Sequence, residues 1–331
     1  MNTIFCFRPA LQQRAHRPLT TVAITLAVLT ILSPGVLAQD NKAPLTPEAG
    51  RLFLNSAANK ARNIQRENTR TFEEFKKTVT KEPFPGGKYI VNGDTPISTD
   101  AQLLEFYKQN VESPPGPSPE FAIIITSQGA DILWKDSEKK ALKYCVSNAA
   151  AESGGFGNRY NTVVSAMADA TRAWQEAADI GFIHVTQEDS NCTASNANVM
   201  FDVRPVNFNM YLARAFFPND ERPQRNVLID NSSFELPPSG KLSLTGILRH
   251  ELGHTLSARH EHTRPQSGTC FEDNDWRGVT DYDALSVMHY PQCNGKGDWS
   301  LTLTHFDKNG IACVYKPAAG FTIDPKVCKP K

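Results

Sequence analysis

His250, Glu251, His254 and His260 are the residues in this chain whose types and spacing could do chemistry together. His250 and His254 are four apart, so on a helix both imidazoles stack on one face and reach one metal ion. Glu251 lies beside them, placed to hold an attacking water and take its proton rather than to ligate. His260 follows six residues after His254. On a continuous helix six residues rotate by roughly 600°, which would carry His260 to the wrong side. The helix must therefore end between them, and a turn must swing His260 back as a third ligand. Three protein ligands with one position left open is the arrangement of a catalytic zinc rather than a structural one. One Zn2+ ion is the cofactor this implies.

The element that must carry the pair is legible nearby. Leu244, Leu248, Leu252 and Leu256 recur every four residues, and their centre lies roughly 160° from that of the two histidines. One face of this helix goes into a core and the opposite face lines a cleft. Ser243 and Thr245 are both plausible N-caps.

Downstream, Ser286-Val287-Met288-His289-Tyr290-Pro291 adds a second motif. With the long histidine motif it resembles the metzincin metallopeptidases, in which such a motif is followed by a Met-turn. Within that group the chain looks most like the astacin family. His260-Glu261-His262-Thr263-Arg264 is similar to that family's extension past the third ligand, and Ser-Val-Met-His-Tyr to its Met-turn. The resemblance covers about residues 134 to 315. It implies that Met288 packs beneath the zinc and that Tyr290 is a displaceable ligand that stabilises the transition state. It also implies that Glu261 helps hold the mature N-terminus. His262 and His289 match further family histidines, with no ligand role following. One position departs from the pattern: where the family has Gly, this chain has Ser257. A serine in the left-handed region costs on the order of 1–2 kcal/mol.

The remaining elements fit around this site. Residues 1–38 read as a secretory signal, with Arg8, Arg14 and Arg17 before an apolar run and Val36-Leu37-Ala38 as a cleavage site. The run is short and diluted by threonines for spanning roughly 30 Å of hydrocarbon, so an anchor is the weaker reading and no stable membrane association follows cleavage. Residues 39–120 read as a propeptide and connector, with a permanent N-terminal subdomain as the alternative. They include a helix from about Pro47 to Thr80, a strand over Lys88 to Val91, a short helix around Thr99 to Asn110, and a stiff Pro-rich linker at 113–119. Tyr89-Ile90-Val91-Asn92-Gly93-Asp94 resembles the F-x-G-D segment of astacin propeptides, whose aspartate replaces the catalytic water in the zymogen. By that resemblance Asp94 is a zinc ligand of the latent form; the bland reading makes Gly93-Asp94 a turn. The family's aromatic position is Val91 here.

Residues 121–331 read as the catalytic domain. A hairpin over 120–126 and 130–134, a strand at Lys143 to Val146 and a long amphipathic helix from Thr162 to Asp179 come first. Strands at 182–186, 198–203, 212–217 and 227–230 follow, then the histidine helix, and last a helix within Leu301 to Tyr315 capped at Thr302 or Thr304. This is an α/β (α+β) metzincin-like fold: a twisted mixed five-stranded sheet with a long back helix, an active-site helix and a C-terminal helix. Leu212 to Phe217 is the natural edge strand to pair with an extended substrate.

Lysine plus arginine and aspartate plus glutamate both number 35, so the formal charge is zero and nothing points to nucleic acid as a partner. The partner implied is a protein or peptide substrate. Of 7 cysteines, removing the signal takes away Cys6 and leaves an even set, which in an exported chain implies disulfides. Cys270 and Cys293 bracket the Met-turn loop, Cys313 and Cys328 tie down the tail, and Cys145 is left with Cys192. His184 and His305 read as ordinary surface or core histidines. The function implied is a secreted or periplasmic zinc endopeptidase. The alternatives are a non-catalytic zinc-stabilised binding or adhesion module, which would tolerate loss of Glu251 or Tyr290, and a zinc hydrolase of a non-protein bond.

Overall fold

The sheet that positions the site is built in the order β6-β5-β7-β9-β8. Its strands are β5 (Leu142–Val146), β6 (Phe182–His184), β7 (Phe201–Val206), β8 (Ala213–Arg214) and β9 (Asn226–Asp230). The first four in that order run parallel, and β8 alone is antiparallel, at the edge, pairing Ala213 with Ile229 and Arg214 with Leu228. This computed structural model describes residues 71–112, 122–126, 128–236, 240–268, 270 and 275–329. The expected signal, the first part of the 47–80 helix and the Pro-rich linker lie outside the described residues. The described residues all belong to one unit.

Parallel strands read as near-continuous apolar runs because helices cover their faces. Here Leu142, Tyr144, Val146, Phe201, Val203, Val227 and Ile229 are all buried. Across them lies α3 (Tyr160–Gln175), whose Val163, Met167, Ala170 and Trp174 are fully buried at helical spacing. Trp174 sits between α3 and the histidine helix α4 (Leu244–Thr255) and donates Nε1–H to Arg249 O at 2.9 Å. Each fully buried large apolar side chain of this kind contributes about 1.5–3 kcal/mol. The last helix, α5 (His305–Tyr315), starts at Thr304 with Asp307 closing a capping box. The expected mixed five-stranded sheet, back helix, active-site helix and C-terminal helix are all present.

Two local expectations shift. Strand β4 (Ala122–Ile124) pairs with β10 (Trp276–Gly278) rather than forming a regular hairpin with 130–134. What remains of that hairpin is the bridge Ile125–Asp131, with Thr126 N–H to Ala130 O at 2.8 Å and Ile132 N–H to Ile124 O at 3.2 Å. The N-terminal segment also contains two strands the pattern did not announce, and the helix expected to run to Thr80 ends at Thr78, where the chain turns into the first of them. β1 (Thr80–Lys81), β2 (Tyr89–Val91) and β3 (Thr95–Ile97) form a small antiparallel sheet, with Asn92-Gly93-Asp94 as the turn between β2 and β3. Gly93 there has φ +96°, open to glycine without strain. Helices α1 (Phe72–Thr78) and α2 (Asp100–Tyr107) pack on it through Phe75, Leu103, Phe106 and Tyr107.

The three cysteine pairs are bonded as the spacing suggested: Cys145–Cys192, Cys270–Cys293 and Cys313–Cys328. No helix among the described residues is long and apolar enough to cross a membrane.

Candidate metal centre

Helix α4 begins at Ser243, whose side chain accepts from Gly246 N–H, so Ser243 rather than Thr245 is the cap. Leu248, Leu252 and Leu256 go fully into the core, and His250 and His254 project from the other side. The helix ends at Thr255, and Ser257 takes φ +79°. That left-handed residue is the turn the ligand spacing demanded. Its hydroxyl donates to Ile132 O, which offsets part of the strain a glycine would not have felt. Strand β4 then holds the returning chain, through Ile124 N–H to Ser257 O at 2.9 Å and Arg259 N–H to Ala122 O at 2.8 Å.

His260 arrives beside the pair. One ligand atom each from His250, His254, His260 and Asp94 lies within 4.8 Å of the others, and all four residues are buried. His250 Nε2 and His260 Nε2 are 3.2 Å apart. Asp94 brings Oδ1 to 3.0 Å from His260 Nε2 and Oδ2 to 3.5 Å from His250 Nε2. His254 Nε2, at 3.9 Å from Asp94 Oδ1, is a buried nitrogen with no hydrogen-bond partner among the described residues.

The donor set fits a zinc ion. His250 Nδ1 lies 2.8 Å from Val287 O and His254 Nδ1 lies 2.8 Å from Ala258 O. A carbonyl can only accept, so each Nδ1 carries the proton and each Nε2 turns its lone pair inward. Burial and the neighbouring His260 and His250 hold the His254 imidazole well below its usual pKa, hence neutral as a metal ligand must be.

Glu251 is buried beside this group, and its Oε2 has no hydrogen-bond partner among the described residues. Burial, reinforced by the Asp94 charge, raises its carboxyl well above the ordinary value. Tyr290 donates its hydroxyl to Asp94 Oδ2, and its ring lies 4.7 Å from that of His260. Met288 packs under the helix at Gly253, where an added Cβ would lie 2.4 Å from Met288 Sδ. Any side chain at Gly253 would expel the methionine. Asp307 does double duty. While capping α5 it accepts Ser286 Oγ–H at 2.5 Å and Val287 N–H at 2.9 Å, pinning the turn that carries Met288.

The other singled-out residues lie in separate contacts. Glu261 is buried, and burial pushes its carboxyl up to about 8 against the pull of Arg264, 2.5 Å away. His262 stacks on Tyr290, and His289 Nε2 lies 2.7 Å from the Tyr282 hydroxyl. His184 pairs with Asp189 at 3.0 Å and His305 with Asp324 at 3.6 Å.

Sequence reasoning missed Arg214, Tyr211, Glu82, Lys88 and Asp220. Arg214 donates Nε–H and Nη2–H to Glu82, and Lys88 pairs with Asp220 at 3.0 Å. A signal was available in the charged residue interrupting the apolar run Leu212-Ala213-Arg214-Ala215-Phe216.

The family model for the matrixins, a group of metallopeptidases, matches residues 134–267. Among solved structures, that of myroilysin is similar at 16% identity with a TM-score of 0.39, covering 59% of this chain and 98% of that one. No curated protein matches the chain. The matrixin match spans all three histidines and Glu251, and with the buried Asp/His group it supports a zinc metallopeptidase of the metzincin type.

Proposed function

We propose that the protein is a secreted, astacin-like zinc endopeptidase held latent by its own N-terminal segment. The observation that carries this is the convergence of three inward-facing imidazoles with Asp94, beside a buried Glu251 that has an unpartnered oxygen. The chemistry a single zinc ion supplies when bound by His250, His254 and His260 is Lewis acidity, lowering a water's pKa towards ~7 and polarising the scissile carbonyl.

The chain's own residues do the rest. Glu251 accepts the proton of the attacking water at its free carboxylate oxygen and returns it to the leaving amine. Tyr290, freed from Asp94, donates its hydroxyl to the tetrahedral oxyanion, an interaction worth about 3 kcal/mol in comparable sites. The antiparallel edge strand β8 offers its outer edge to an extended substrate backbone. Astacin-like type is supported by the residues after His260 and by the Ser-Val-Met-His-Tyr turn, and export by residues 1–38 together with three disulfides.

Latency follows from Asp94. Its carboxylate stands among the imidazoles and accepts from Tyr290, so it blocks the ligand position and the oxyanion donor together. On this reading residues 39–120 are a propeptide and the catalytic domain follows.

The experiment pairs zinc content with a casein zymogram on the full-length chain and on Asp94→Ala. Wild type should bind one zinc and show little cleavage until it is processed. Asp94→Ala should cleave casein uncleaved itself, and a chelator should abolish that. An Asp94→Ala chain as inactive as wild type would remove Asp94 from the latency account. A processed wild type that binds zinc yet leaves casein intact would remove the peptidase reading.

A further inference from the structure

A guanidinium in an apolar strand needs acceptors once it is out of water. Arg214 in β8 is 1% exposed. Its Nη1–H donates to Asn226 Oδ1 at 2.5 Å on the neighbouring strand β9, which fixes one end of the fork. The other edge, Nε–H and Nη2–H, donates to the two oxygens of Glu82, each at 2.7 Å. Tyr211 donates its hydroxyl to Glu82 Oε1, and Lys88 N–H donates to Oε2 at 2.8 Å. Arg214 and Tyr211 thus form a carboxylate pocket on the peptidase side, filled by a glutamate of the N-terminal segment.

This pocket adjoins the chemistry. Tyr211, with Leu212 and Ala213, also lines the cavity that contains Asp94 and Glu251.

We infer that Arg214, assisted by Tyr211, is a specificity-determining residue that reads a carboxylate side chain of the peptide substrate, in the place Glu82 fills in the latent chain. The inference rests on the peptidase reading and on departure of the N-terminal segment. When Glu82 leaves, Asn226 still holds the guanidinium, and its free edge presents two parallel N–H donors matched to a carboxylate. An acidic substrate residue restores both bonds; its amide counterpart restores one acceptor at most and leaves a buried donor unmet. The same departure removes Lys88 from Asp220, which keeps Phe217 N–H at 3.2 Å. Re-pairing of Arg214 with Asp220 is the competing fate.

The test uses the full-length, zinc-loaded chain, activated by limited proteolysis. Quenched-fluorescent peptides are compared in pairs that differ only by Glu or Gln, with that residue scanned along the peptide. At one position the Glu peptide should show a kcat/KM at least roughly tenfold higher, as for a charge-assisted fork. Arg214→Gln should bring that ratio to within about twofold, and Tyr211→Phe should lower it part of the way. Equal rates at every position for wild type, or a ratio that survives Arg214→Gln, overturns the inference and favours the Asp220 pairing. Should Arg214→Gln fail to fold, Tyr211→Phe decides: an unchanged ratio there also overturns it. Casein cleavage by the same activated sample separates the two failures. Casein cut without a Glu preference sinks only Arg214's role, whereas casein left intact sinks the peptidase reading.

Discussion

The segment 71–112 and the part from 122 onward solve the problem of cohesion differently. The larger part has a continuous apolar core running from Ile123 through Trp174 and Leu252 to Tyr315, and it holds all three disulfides. The segment has a small core of its own around Phe75, Leu103 and Phe106, and no cysteine. Where the two meet, the named contacts are mostly polar. They include Glu82 with Arg214, Lys88 with Asp220, the Ser98 hydroxyl on Asp220 at 2.7 Å, and Asp94 among the histidines. A core joined by burial cannot be divided without exposing apolar area, whereas a contact made of charges can be released into water that solvates both sides. The interface is of the kind suited to being undone.

The largest expected effect breaks the larger part's chemistry while leaving that interface alone. Glu251→Gln should keep zinc bound, because the three imidazoles are untouched, while turnover of the activated chain falls by at least roughly 10²–10⁴. His254→Ala should lose the metal instead. Zinc content and casein turnover on the same samples distinguish the two, and near-normal turnover by Glu251→Gln would defeat the assignment of the base.

The next effect breaks the interface while leaving the chemistry alone. Glu82→Gln removes one charge of a buried pair and strands Arg214, which in comparable sites costs about 3–5 kcal/mol. The segment should be cleaved faster by an added protease, and casein activity should appear earlier. The wild type should show a pH dependence that this variant lacks. Burial pushes the Glu82 carboxyl up, but Arg214, with the Tyr211 hydroxyl and the Lys88 amide, more than offsets this and holds it below its ordinary value. A lowered carboxyl contributes stability above the ordinary carboxylate range and loses it as pH falls through the lowered value. Segment protection in the wild type should therefore hold at neutral pH and fail in acid, with a flatter profile for Glu82→Gln. Identical proteolysis profiles for the two chains would mean that Glu82 does not hold the segment.

The two regions were also unequally legible in the sequence. The site in the larger part could be read because its rules are local: i,i+4 for the ligand pair, and a helix stop required by the spacing to His260. Met288 and Asp94 entered through family resemblance, and packing sets Met288 against Gly253 and Asp94 Oδ1 3.0 Å from His260 Nε2. The charges of the interface were not legible, because Glu82 and Arg214 are separated by 132 positions and no periodicity connects them. The pairing of β4 with β10 was missed for the same reason, since Ala122 meets Gly278 far along the chain. Asp307 was legible as a cap but not as the clamp on Ser286 and Val287, which only packing creates.

The smallest effect sharpens the comparison inside the larger part, at the one ligand-loop position that departs from the family pattern. Ser257 holds φ +79° without being glycine. Two terms act on it. The left-handed backbone costs a residue with a Cβ about 1–2 kcal/mol. Against this, the hydroxyl donates to Ile132 O and lies 3.4 Å from the Tyr315 hydroxyl, in a site shut off from water, where such bonds contribute about 1 kcal/mol or more. Ser257→Ala keeps the strain and loses the bond, so it should destabilise by about 1–2 kcal/mol. Ser257→Gly loses the same bond but also the strain, so it should fall within about 1 kcal/mol of wild type and above Ser257→Ala. Thermal midpoints of the zinc-loaded chains check this, at about 2–4 °C per kcal/mol for a domain of this size. Because the turn swings His260 and not the N-terminal segment, protease release of that segment should be the same in all three chains. An alanine variant as stable as the glycine variant would mean that the backbone at position 257 relaxes, and that the serine stores no strain for its hydroxyl to offset.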